Sequence, residues 1–353
     1  MNESIWAGKR VLITGHTGFK GSWLTLWLAA LGARVTGLSL APSSDPNLFA
    51  LARVESVCTS IIGDICDPAS VADVFARAEP DVVFHLAAQS IVRLSFEDPV
   101  GTYMTNVMGT ARILDAVRVA PSVRAIVMVS SDKCYENHET IWGCREYDAM
   151  GGYDPYSSSK GCMELVTSAF RRSFFGVPGA AGLASARAGN VIGGGDWARD
   201  RLIPDVVRGV RAGVPALIRN PDAVRPWQHV LEPLSGYCLL AEKLLDAPKI
   251  YSEGWNFGPD QTDQRSVAAV LAEFCKGLQC GAEWQVQSSD SNPHEAKQLR
   301  LDITKARVQL GWQPRWSLAE GIAATAEWYR RWFGGEDMQR VCLDQISAYE
   351  RAA

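Results

Sequence analysis

A chain of 353 residues, 47% hydrophobic and 21% charged, has the size and composition of a globular protein of two lobes or two domains. Its net charge of −4 gives nucleic acid or an anionic membrane surface no electrostatic reason to bind. No apolar run reaches the roughly 18 residues of a membrane span, and no basic block with an apolar run opens the chain, so neither insertion nor export is expected. Nine scattered cysteines without a C-x-x-C pair predict reduced thiols in the cytoplasm, and five dispersed histidines predict no metal site.

In chain order, Val11–Thr14 reads as a short buried strand and Trp23–Leu31 as a helix ending at Gly32. A second strand is expected over Arg34–Leu40, a helix over Val71–Arg77, and a fully apolar strand of the parallel type over Asp81–Ala88. A long helix at Thr105–Val119, a strand at Ala125–Ser131, a helix at Tyr156–Phe175 and a strand at Gly182–Ala188 follow. Such alternation predicts an α/β fold, a doubly wound parallel (Rossmann) sheet covered on both faces. After Asn190 the pattern breaks on Gly193–Gly195 and several prolines, which predicts a second lobe. The expected division is a dinucleotide-binding domain over 1–188, rejoined by about 228–250, where a strand-like start leads into a helix. Residues 189–227 and 251–353 then form a smaller α/β substrate lobe, its tail, Leu318–Arg351, helical around "GGED".

Two stretches carry chemistry. In "VLITGHTGFKGSWL" (Val11–Leu24), glycines at 15, 18 and 21 form G-x-x-G-x-x-G between a strand and a helix. That pattern permits a tight turn and close backbone approach to a diphosphate at the helix N-terminus. Gly15, His16, Thr17, Gly18, Phe19, Lys20 and Gly21 are therefore cofactor-binding candidates. Lys20 has two readings, reaching the diphosphate or facing solvent. No acid near Leu38–Leu40 ends the second strand, and no arginine follows it directly, since Arg53 lies well downstream; the second absence favours NAD over NADP. Asp64, in "GDICD", reads either as an adenine or ribose contact or as a helix-capping acid. The second stretch is "YSSSK" (Tyr156–Lys160), whose ends share a helix face at i and i+4. A lysine beside a tyrosine favours the phenolate and is expected to lower the tyrosine pKa from about 10 toward neutrality.

The Tyr-x-x-x-Lys pair and the glycine turn together resemble the extended short-chain dehydrogenase/reductases that act on nucleotide sugars. "VSSDKCYEN" (Val129–Asn137) ends a core strand where ligands meet an open sheet. There the resemblance implies that Ser131 holds the substrate hydroxyl beside Tyr156, and that Asp132 and Lys133 are the acid and base of a 4,6-dehydratase. Many dehydratases carry Asp-Glu here. The Asp-Lys version followed by Cys-Tyr resembles the CDP-glucose 4,6-dehydratases, although dehydratases of UDP-N-acetylglucosamine share Asp-Lys. "GNVIGGGDWARDRLIPD" (Gly189–Asp205), "RPWQHVLEPLSGY" (Arg225–Tyr237), "PHEAKQLRLD" (Pro293–Asp302) and "LGWQPRWSLAEGI" (Leu310–Ile322) resemble the CDP-glucose enzymes as well. By the same resemblance the cofactor is NAD, with Ile65, Leu86, Ala87, Ala88, Gln89, Asn106, Tyr156 and Lys160 among its contacts. The substrate is CDP-D-glucose, with Asn190, Gly195, Asp196, Trp197, Arg201, Arg225, His229, His294 and Arg300 as candidate contacts. Pairing through first-lobe helices into a homodimer or homotetramer is implied too. Two alternatives stay open: another nucleotide-sugar dehydratase or a 4-epimerase, which has no use for Asp132 and Lys133, and a non-catalytic dinucleotide sensor.

Overall fold

Val11 and Ile13 of the first strand, β1 (Arg10–Thr14), sink into one apolar cluster while Leu12 between them enters another. The same alternation recurs in β4 (Val82–His85), β5 (Ala125–Val129) and β6 (Gly182–Ala188), so the sheet separates two cores and is buried on both faces. With β2 (Arg34–Ser39), β3 (Thr59–Ile62) and a seventh strand, Gly254–Phe257, the order is β3-β2-β1-β4-β5-β6-seventh, every pair parallel. The order reverses between β1 and β4, and a crevice opens at the carboxyl ends of these strands. The computed structural model describes residues 3–260, 263–286 and 298–352.

Two helices deliver the chemistry to that crevice. Phe19–Ala30 starts directly from the glycine turn and buries Trp23, Leu24 and Trp27. Pro155–Ser173 starts at Asp154, whose side chain accepts from the Ser157 backbone N–H (2.9 Å), with Pro155 in the first turn. A buried ion pair locks this second helix to the sheet: Glu164 receives Arg187 of β6 (2.9 Å) and the hydroxyls of Ser130 and Ser185. Arg187 also donates to the Tyr135 hydroxyl, which donates in turn to Asn256 of the seventh strand, each at 2.7 Å.

Three features differ from the sequence reading. β3 was not foreseen, because its exposed edge pattern lacks an apolar run. Gly254–Phe257, assigned to the substrate lobe by its position in 251–353, pairs with β6 in the main sheet; "GWNF" is too short for a periodic signal. The predicted Asp81–Ala88 strand stops at His85, and Leu86–Gln89 turn out of the sheet to line the crevice. The tail forms two helices, Leu318–Phe333 and Met338–Arg351, broken at Gly334–Gly335. Beyond β6, helices Leu202–Ala212 and Val267–Leu278 join three short strand pairs: Val191–Ile192 with Gln228–His229, Ala216–Ile218 with Trp284–Val286, and Val224–Arg225 with Arg265–Ser266.

Candidate active site

The crevice is a cavity of about 900 Å³ that runs from the glycine turn, past β5, to the segments after β6. At its first end, Gly15 has φ +80°, and a β-carbon there would sit 2.8 Å from the Ala87 backbone nitrogen. A β-carbon on Gly21 would overlap the Gly15 carbonyl, so the helix starts tight against the turn. This cradle fits a dinucleotide diphosphate approaching the helix N-terminus. Thr17, Gly18, Phe19, Lys20, Asp64, Ile65, Leu86, Ala87, Ala88 and Gln89 all line it. Asp64 also accepts from the Cys66 backbone N–H (2.8 Å), so its carboxylate shapes its own turn.

Where an acid would ordinarily end β2, the lining is Ser39, Leu40, Ser43, Ser44 and Asn47. Ser39 and Thr17 share a 2.7 Å hydroxyl contact. No arginine or lysine stands among these five, and Arg53 is engaged with Asp337 at 2.7 Å. The sequence signal for this group was only the missing acid; which hydroxyls surround the position depends on the loop's path.

At the centre, two residues past the end of β5, Ser131 caps the short turn Asp132–Cys134 by accepting from the Lys133 backbone N–H (3.2 Å). Its hydroxyl donates to Asp132 Oδ1 (2.9 Å), and Asp132 Oδ2 has no partner. Tyr156 and Lys160, one turn apart on the Pro155–Ser173 helix, face the same space, and the Lys133 ammonium lies 5.9 Å from the Tyr156 ring centre. All five residues predicted to be catalytic thus meet in one cavity.

Burial governs the acid–base state here. It pushes the Asp132 carboxyl up against the pull of Lys133 and the Ser131 hydrogen bond. It pushes Lys160 down to about 8, opposed by Glu164. The Tyr156 phenol is not lowered as the sequence implied: burial raises it to about 12, outweighing the Ser131 hydrogen bond. Lys20 does not face open solvent. It lines the cavity floor, and burial with Arg201 and Lys160 nearby brings it to about 7, against Asp132 and Asp196.

The far end is lined by Asn190, Gly195, Asp196, Trp197, Arg201 and Arg225 as expected. Arg201 bridges Asp196 (3.0 Å) to Ser90 (2.9 Å), joining the two sides of the crevice. Four expected contacts stand behind the wall instead. His16 turns its ring onto Gly37, bonds Ser60 (2.7 Å) and is held by burial at about 4. Asn106 pins Gln89 to Ser159 through bonds of 2.9 and 2.8 Å. His229 packs between Trp23 and Trp316. Arg300 donates to the Ile141 carbonyl, and its neighbour Leu299 lines the cavity. His294 lies outside the described residues. Residues the sequence did not flag are Arg93, Arg219, Asn220 and Trp227. Arg93 and Arg219 both pair with Asp200, a set that only the folded lobe assembles. Among the described residues, no cluster of three or more His, Cys, Asp or Glu is placed to hold a metal, and no helix is long and apolar enough to cross a membrane.

Residues 12–325 match the family profile described as GDP-mannose 4,6 dehydratase. A CDP-glucose 4,6-dehydratase of Salmonella typhimurium is 49% identical, the match covering 100% of this chain and 99% of that protein. A double mutant of a dTDP-glucose 4,6-dehydratase from Streptomyces venezuelae, solved with NAD bound, superposes with a TM-score of 0.78 at 26% identity over 91% of this chain and 97% of that one. A UDP-glucose 4-epimerase from Thermotoga maritima shares the fold, with a TM-score of 0.78 at 22% identity over 92% of this chain and 99% of that one.

Proposed function

Because the chain belongs to the GDP-mannose 4,6-dehydratase family, we propose that it converts CDP-D-glucose to CDP-4-dehydro-6-deoxy-D-glucose and water, as an NAD-dependent lyase of deoxysugar synthesis. The observation that carries this reading is the full-length 49% identity to a CDP-glucose 4,6-dehydratase. The meeting of Asp132 and Lys133 with Tyr156 in one cavity supports it, since a 4-epimerase does not need that acid–base pair.

Thr17–Lys20 and Leu86–Gln89 would hold NAD in the cradle, where it would supply a hydride acceptor for C4 and then a hydride donor for C6. The absence of a basic side chain among Ser39, Leu40, Ser43, Ser44 and Asn47 supports NAD over NADP. Tyr156 takes the proton of the sugar 4-hydroxyl, which Ser131 orients, and Lys160 stabilises the phenolate. The C4 ketone acidifies the C5 hydrogen, and Lys133 removes it. Asp132, whose hold on its proton burial strengthens, gives that proton to the departing 6-hydroxyl; the C6–O bond breaks and the C5–C6 double bond forms. Asn190, Arg201 and Arg225, with the Gly195–Trp197 turn, hold the diphosphate and cytidine.

Exposed Leu94, Val100, Met104, Met108 and Leu165 on the helices flanking the site support pairing of two or four copies through this face. Nine unpaired thiols are consistent with a cytoplasmic enzyme. The decisive experiment incubates the protein and NAD with CDP-, dTDP-, GDP- and UDP-sugars and scores each by mass. Loss of water from CDP-glucose well ahead of the others is expected; unchanged mass with epimerised sugar overturns the reading.

A further inference from the structure

Asp200 lines the far end of the crevice between two arginines. The Arg93 guanidinium stands 3.4 Å from its Oδ1, and that of Arg219 stands 3.7 Å from the same oxygen. Both are ion-pair distances beyond ordinary hydrogen bonding, and among the described residues no hydrogen bond is made to this carboxylate. The neighbouring carboxylates are committed: Arg208 is hydrogen-bonded to Asp205, and Arg201 with the Ala198 backbone N–H to Asp196. Partly exposed ion pairs of this length add little, so stability is a weak reason for gathering the three. They come from the helix Val92–Glu97, the loop before Leu202–Ala212 and the residue after the strand Ala216–Ile218.

We propose that Asp200 and Arg219 read the edge of the cytosine base and so select a cytidine sugar nucleotide over its uridine and thymidine counterparts. This inference deepens the dehydratase reading above and rests on it. With the sugar C4 at Tyr156 and the diphosphate on Asn190, Arg201 and Arg225, the base lies farther along the crevice. Ile218, Ala223 and Leu299 line the cavity there and are almost fully buried. They stand around Arg219: Ile218 precedes it, Ala223 closes a turn onto the Asn220 carbonyl (3.2 Å), and Leu299 donates to Val224 (3.4 Å). Apolar walls beside a few polar groups suit a flat ring whose edge is polar.

Cytosine offers adjacent acceptors at O2 and N3 and a donor at N4. A guanidinium fork donates to the first two, and a carboxylate accepts from the third. Arg219 and Asp200 carry those complementary groups side by side. Uracil and thymine reverse the pattern at two positions, with N3–H a donor and O4 an acceptor. The same pair then sets a carboxylate against O4 and a guanidinium against N3–H, so it repels what it does not bind. Arg93, reaching the same carboxylate from the first lobe, holds Asp200 in place.

Titration calorimetry of the NAD-loaded protein with CDP and with UDP tests the base site without turnover. Wild-type protein should prefer CDP. Asp200→Asn keeps the size but turns a fixed acceptor into an amide that can face either base. Its CDP affinity is expected to fall at least about tenfold while its UDP affinity does not fall, so the preference collapses. Arg219→Met removes the fork and should lower CDP affinity by a similar factor of about ten. With CDP-glucose the Asp200→Asn loss should fall on KM and not on kcat, because the groups around Tyr156 are untouched. Wild-type protein that binds CDP and UDP alike, or an Asp200→Asn variant that weakens both equally or neither, overturns the proposal. Wild-type protein that prefers CDP but removes no water from CDP-glucose overturns the dehydratase reading and leaves the base site standing.

Discussion

Tyr156 works against its own burial, which holds the phenol near 12. Tyr156→Phe keeps the ring and removes the proton acceptor, so turnover is expected to fall at least about a hundredfold while the fold persists. Steady-state rates with circular dichroism check this; near-wild-type turnover would remove Tyr156 from the mechanism. Lys133→Met tests the later step. It keeps an unbranched side chain of similar length, so oxidation should survive in weakened form while elimination stops. Single-turnover absorbance should rise and not decay, and solvent deuterium should fail to enter C5. Dehydrated product at a normal rate would make Lys133 a binding residue. Tyr156 and Lys160 were picked out in the sequence by their spacing of one helical turn and Ser131–Lys133 by resemblance, and the structure brings all five to one cavity. The set of Arg93, Arg219 and Asp200 was not picked out, because its members lie far apart in the chain and meet only on folding.

The glycine turn shows the same boundary between local and tertiary information. Its three glycines and flanking strand and helix were readable, and Gly21→Ala is expected to force the Phe19–Ala30 helix off the Gly15 carbonyl and weaken NAD binding at least about tenfold. Titration calorimetry measures this, and unchanged affinity would show that the turn relaxes. What His16 does was not readable, because its ring is buried against a strand neighbour, Gly37, and bonded to Ser60 on β3. Burial holds His16 at about 4, below its ordinary 6.5. Between those values the unfolded chain binds a proton that the folded chain refuses. His16 therefore favours folding fully above pH 6.5, and that advantage is lost as pH falls toward 4, on the order of 3 kcal/mol. His16→Gln removes this share, although His85 and His229, depressed in the same way, retain theirs. Urea denaturation across pH 7 to 5 should show a shallower loss in His16→Gln than in wild type; parallel slopes would refute the account. Strands with long apolar runs were legible for the same physical reason that β3 and Gly254–Phe257 were not: periodicity needs length to register.

At the scale of the whole molecule, the chain's C-terminal helix closes onto the helix that follows the glycine turn. Trp27 of the Phe19–Ala30 helix donates to Glu350 (2.9 Å) and meets the Tyr349 ring edge-on at 5.6 Å. Tyr349 donates to Glu232 (2.7 Å), and the same carboxyl receives the backbone N–H groups of Arg315 (3.1 Å) and Trp316 (2.8 Å). Glu232 thus joins the Leu231–Asp246 helix, the loop before Leu318–Phe333 and the final helix at one buried point. Burial outweighs these three donors and raises Glu232 to about 7, against an ordinary value of 4.5. Between pH 4.5 and 7 the folded chain holds a proton that the unfolded chain has released. The contribution of Glu232 is therefore full below pH 4.5 and declines as pH rises through 7, by on the order of 3 kcal/mol. Glu232→Gln keeps the shape and an acceptor for these donors but cannot ionise. Its stability relative to wild type should improve by that amount between pH 4.5 and 8, measured by urea denaturation of both proteins at each pH. A constant difference across the range would mean that the three donors hold Glu232 ionised, and that the closure of the chain's two ends carries a buried charge.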